Sequence, residues 1–226
     1  MQVSGDASGG QTRISLPSVR RVPSAVWLFA VLLAVGWFGV YQMGFIHADA
    51  LARSANAFHV IFSRDPHLAA MGLFWPPLPS FVQIPLMPLV RPFGSQGIVL
   101  AGVAVSAAFA AGFALLVHRF LVLLRVPRRW RLALLIVGLA NPLLVYYMVS
   151  RATELPFLFF VIGATYFLID AHGSSVSRLA VPGVFLAGAV LTRYEGLATA
   201  LVISLAAAFV VSSDGVDTWS ARSRGY

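Results

Sequence analysis

The chain has 226 residues, of which 59% are hydrophobic and 11% charged, with a formal net charge of +8 and no cysteine. A soluble globular domain carries roughly 25% charge, so this composition excludes an ordinary water-facing fold and points to lipid as much of the solvent. The missing cysteines exclude disulfides, thiolate catalysis and Cys-based zinc sites. Every basic residue is Arg, and the arginines stand between apolar runs rather than in one basic patch, which argues against a nucleic-acid partner.

Residues 1–24 are polar and Gly/Ser-rich and contain Arg13, Arg20 and Arg21, so a disordered cytoplasmic tail is expected. The first charge-free apolar run, Ala25–Ile46, is too long for a signal-peptide core and reads as an anchored span. The next, Ile98–Val117, precedes His118, Arg119, Arg125, Arg128, Arg129 and Arg131. That cluster and the basic tail should both be cytoplasmic. Residues 47–97 then form a large extracytoplasmic loop. Within it, Leu78–Val90 is apolar but broken by Pro79, Pro85 and Pro88, and too short to cross. It reads as interfacial or re-entrant. Leu51–Phe62 has apolar residues at helical spacing, with Arg53 and Asn56 on another side, and predicts an amphipathic helix.

Four further runs alternate: Leu132–Val149 outward, Leu155–Ile169 inward, Leu179–Thr192 outward and Gly196–Val211 inward. A polar tail, 213–226, follows. The expected fold is all-α: a polytopic transmembrane helical bundle over 25–212, of about six spans at about 20 residues each. The expected location is the cell membrane, with a cytoplasmic N-terminus.

On this topology the acidic residues Asp49, Asp65, Glu154 and Glu195 fall on the extracytoplasmic side, each beside a basic residue or histidine. Ionisable groups at membrane depth are costly and are functional candidates by default. Asp49 reads either as an N-cap for a helix starting at Ala50 or as a general base, and the two roles are compatible. His47 and Asp49 are also two ligands of a kind that suits a divalent cation, though two ligands do not make a site. Arg151 and Glu154 read as a local ion pair or as an anion contact beside a carboxylate. Arg193-Tyr194-Glu195 interrupts an apolar stretch and suits either a structural pair or a lipid phosphate. Trp75-Pro76-Pro77-Leu78-Pro79 is either an interfacial anchor or a turn shaping a lipid-facing groove.

These pieces resemble a known pattern. The order is His47-Ala48-Asp49-Ala50, Trp75 to Pro79, Asn141-Pro142-Leu143-Leu144-Val145-Tyr146-Tyr147, Ser150-Arg151-Ala152-Thr153-Glu154 and Leu191-Thr192-Arg193-Tyr194-Glu195-Gly196. Over residues 25–212 the chain is similar to the N-terminal part of polyprenyl-phosphate-dependent membrane glycosyltransferases of the GT-C superfamily, such as the protein mannosyltransferases and the aminoarabinose transferases. Members run longer, with more spans, so the resemblance implies a truncated or partial enzyme. It implies sugar transfer from a polyprenyl-phosphate donor to a cell-envelope glycan, lipid or protein acceptor at the extracytoplasmic face. Asp49 would be the catalytic carboxylate and Glu154 the second acidic position. Arg151 or Arg193 would contact the donor phosphate, with Glu195 and His47 also at the substrate. Some members bind a divalent metal, Mg or Mn, at the acidic positions, here Asp49 and Glu154, and others work without one. Two other classes remain open from the residues alone: a transporter or permease component, and a non-catalytic membrane assembly partner.

Overall fold

The computed structural model describes residues 22–72, 75–170 and 179–223. The N-terminal tail expected over 1–24 lies almost wholly outside these residues, as does most of the loop after Asp170. Among the described residues all regular structure is helical. The order is α1 (Val22–Tyr41), α2 (Ala48–Phe62), α3 (Leu78–Phe81), α4 (Met87–Val90), α5 (Gly94–Leu123), α6 (Arg128–Leu139), α7 (Pro142–Val149), α8 (Glu154–Asp170), α9 (Ala180–Thr192) and α10 (Glu195–Ser223). Short 3-10 turns at Leu68–Met71, Ile84–Leu86 and Arg91–Phe93 complete the 63–93 connection.

Each apolar run identified in the sequence lies in helix, with shifted ends. α1 stops at Tyr41 because Gly44 takes a left-handed φ of 70° and the Phe45 amide turns back to the Gly39 carbonyl at 3.0 Å. α10 runs on to Ser223, through residues read from sequence as a polar tail. The run 132–149 is not one helix. Asn141 caps α7, its side chain accepting from the Leu143 amide at 2.9 Å, and Pro142 occupies the first helical position. Proline lacks the amide that would continue α6, and it biases the residue before it away from helix. The two pieces meet at a bend of 57°.

The continuous helical path Leu78–Leu123 is long and apolar enough to cross a membrane, and α6 with α7 passes the same test if the bent pair is one span. The apolar helices Ala25–Tyr41, Ala180–Thr192 and Glu195–Phe209 are shorter. α5 packs on α1 and α8, and α9 packs between α8 and α10. The α8–α9 seam interlocks rings with glycines. A Cβ at Gly163 would lie 2.1 Å from the Phe185 ring, and one at Gly188 would lie 2.3 Å from the Phe160 ring. Small residues that admit close helix approach are how helices associate without a hydrophobic driving force. The far faces stay apolar: on α10, Leu197, Leu201, Val202, Leu205 and Phe209 are all exposed.

Candidate functional site

Three helices begin at one cavity, and each carries a carboxylate in its first turn: Asp49 on α2, Glu154 on α8 and Glu195 on α10. A carboxylate there faces the positive end of the peptide dipoles, worth about 0.3–1 kcal/mol at the surface. The cavity encloses about 400 Å³. His47, Arg53 and Arg193 also line it, and Trp75, Tyr146, Tyr147 and Tyr194 give it aromatic walls.

Asp49 is not the N-cap expected from the sequence. His47, in extended conformation, ends the preceding stretch, so α2 starts at Ala48 and Asp49 sits one residue inside it. The cap position makes no side-chain hydrogen bond. The Asp49 carboxylate is half-buried and forms no ion pair among the described residues.

Arg193 is fully engaged. Its Nη1 pairs with Glu154 Oε1 and reaches Thr153 Oγ1 at 3.2 Å. Its Nη2 and Nε reach the two oxygens of Glu195 at 2.8 and 3.2 Å. The hydrogen bonds from Arg193 hold the Glu195 carboxyl below its ordinary range. Residues 39 positions apart in sequence thus close one polar cluster.

The expected Arg151–Glu154 pair does not form. Arg151 adopts a left-handed φ of 59°, a sparsely populated conformation for a side-chain-bearing residue. It is buried, against Gly102 of α5 and away from Glu154, which pairs with Arg193 instead. Its Nε, Nη1 and Nη2 have no hydrogen-bond partner. Arg151 lines a second, smaller cavity of about 20 Å³ behind the first, which shares Arg53, Ala152 and Thr153 with it.

Arg53 was placed by its sequence spacing on the polar side of α2. It lies instead on the buried face, with Ala50, Ser54, Ala57 and Val60. Its guanidinium stands 5.4 Å from the Trp75 ring centroid. Burial lowers its pKa, and the charges of Asp49 and Glu154 offset part of that effect. The overlooked signal was the small-residue stripe of Ala50, Ser54 and Ala57, on which Arg53 falls at helical spacing. Trp75 and Pro76 form a wall of the cavity.

The donor set does not fit a metal held by side chains alone. No three His, Asp or Glu residues among those described are close enough together to hold one, and Glu154 is already taken by Arg193. The metal expectation gains no support here, and no chemical step is routed through an ion. What the cavity can do is bind a polar, ring-shaped ligand against aromatic walls, hold an anion near Arg53 and Arg193, and offer one uncommitted carboxylate, Asp49. Comparison with known proteins found no matching family model, no matching curated protein and no matching solved structure.

Proposed function

We propose that the chain is a membrane glycosyltransferase that moves a sugar from a polyprenyl phosphate to an acceptor hydroxyl at the extracytoplasmic face. The observation that carries this reading is the convergence in one cavity of Asp49, His47, Glu154, Arg193 and Glu195, which come from three separated stretches of sequence. They are among the residues that carry the resemblance to the GT-C superfamily.

In this reading Asp49 accepts the proton of the acceptor hydroxyl as its oxygen attacks the anomeric carbon. The bond from that carbon to the phosphate oxygen breaks, and the polyprenyl phosphate departs with the electron pair. Asp49 suits the base because it is the cavity carboxylate not held by Arg193. Of the two phosphate contacts expected from the sequence, Arg193 is favoured, because it lines the larger cavity, whereas Arg151 faces the smaller one behind. Arg53 joins it as a second cation. Charge-assisted hydrogen bonds from guanidinium to phosphate are among the stronger polar contacts. Arg193 would exchange a carboxylate for the phosphate when the donor binds.

A positioned base contributes about 10²–10⁴-fold in rate. Asp49→Asn should therefore lower sugar transfer from a polyprenyl-phosphate donor by about that factor. Expression and folding should hold, since the carboxylate makes no structural ion pair. Transfer by the variant at the wild-type rate would overturn the assignment. Uptake of a solute by wild-type proteoliposomes, with no sugar transfer, would favour a transporter instead.

A further inference from the structure

We infer that the small cavity behind the main site is a resident binding site for one monovalent inorganic anion, chloride in the ordinary cell, held by the Arg151 guanidinium. The inference is separate from sugar transfer and stands or falls without it.

Arg151 is 7% exposed, and all three of its guanidinium nitrogens lack partners. In the same turn the Ser150 hydroxyl is also buried and unpartnered. Arg remains protonated in proteins, so a full positive charge stands here. Burial lowers its pKa, and the nearby Tyr41 hydroxyl, uncharged at neutral pH, does not balance the charge. No carboxylate among the described residues reaches it: Glu154 and Glu195 are held by Arg193. An uncompensated buried charge is strongly destabilising. The left-handed backbone at Arg151 adds strain. Both costs persist only if something in the cavity offsets them.

Size selects the occupant. The cavity of about 20 Å³ has room for one water-sized body. Sulfate and phosphate are bulkier and bring more negative charge than a single guanidinium balances. A water fits, but it supplies a dipole where the site presents a net charge. A halide is compact, and its single charge neutralises the site. No carboxylate lines the cavity, and beside Arg151 it holds the neutral polar groups of Ser54 and Gln83. Their mutual hydrogen bond, 2.8 Å, and that of the Gln83 amide to the Pro79 carbonyl, 2.8 Å, fix these groups in place. Gly102 keeps the space open, since a Cβ there would lie 2.9 Å from Ser54 Oγ and 3.3 Å from Arg151 Nη1.

The test uses the purified full chain in nanodiscs, with radiolabelled chloride at constant ionic strength. One saturable site per chain is expected, competed by bromide and not by sulfate or gluconate. Chloride should also raise Tm over gluconate, on the order of 5–10 °C at a hundredfold excess over Kd. Arg151→Gln should abolish both responses. Gly102→Ala, which keeps the guanidinium and narrows the cavity, should weaken chloride binding at least tenfold. Absence of a stoichiometric site in the wild type overturns the proposal and leaves water as the occupant. So does equal competition by sulfate, or wild-type binding in a folded Arg151→Gln. The competition measurement on wild type decides the matter even if both variants fail to fold.

Discussion

The two cavities share a wall and treat their arginines in opposite ways. In the larger one Arg193 meets two carboxylates and a hydroxyl, so its charge is balanced by the chain itself. In the smaller one Arg151, more deeply buried, meets none. Proximity in sequence does not predict the difference, because Arg151 is three residues from Glu154 and Arg193 is far from it. Backbone direction decides it. The left-handed turn at Arg151 sends its side chain toward α5, while Glu154, at the start of α8, meets the residue just after α9. A balanced cluster should be a structural clamp that a ligand can unlock. An unbalanced cation should respond to ions in the medium.

The largest effect that would break this comparison is all-or-none. Both cavities should open toward the extracytoplasmic side, so a cysteine at Asp65 should react with an impermeant thiol reagent in intact cells, and one at Arg129 should not. Reversal of that pattern would put the site on the wrong side for a polyprenyl-phosphate sugar donor. Next comes the clamp. Arg193→Met leaves Glu154 half-buried without its partner, which should cost roughly 1–3 kcal/mol. Adding Glu154→Gln should recover part of that loss in thermal unfolding, and an additive double variant would mean the pair is not coupled. Arg151→Met should behave differently. In chloride-free gluconate it removes an uncompensated charge, so stability should be unchanged or higher, because apolar replacement of buried charge is often neutral or favourable. A loss like that at Arg193 would mean the two sites are alike after all.

The smallest effect concerns pH. Arg193 holds the Glu195 carboxyl below its ordinary value of 4.5. A depressed folded-state pKa contributes stability above the ordinary value and loses it as pH falls through the folded value. Tm should therefore be flat, as far as this pair is concerned, from neutral pH down to about 5, and fall in more acid solution. Glu195→Gln should flatten the acid limb and cost under about 1 kcal/mol at neutral pH, because the group is exposed. A wild-type-like acid limb in that variant would assign the transition to another carboxylate.

Much of the helix inventory could be read from the sequence because apolar runs and proline positions act locally. Charge-free stretches must bury or meet lipid wherever they sit, but the hydropathy of the run 132–149 does not show the break at Asn141-Pro142. The amphipathic α2 was equally local, since its period shows in the residues themselves. The acidic candidates could also be named, because few carboxylates occur among so many apolar residues. Their partners could not. That Glu154 belongs to Arg193, that Arg53 faces inward over Trp75, and that Arg151 is left alone all depend on how α2, α5, α8 and α10 come together. The sequence by itself thus determined which groups carry charge and which stretches are helical. Only the tertiary structure decided which charges cancel, because pairing depends on distances of a few ångströms between segments that sequence order leaves far apart.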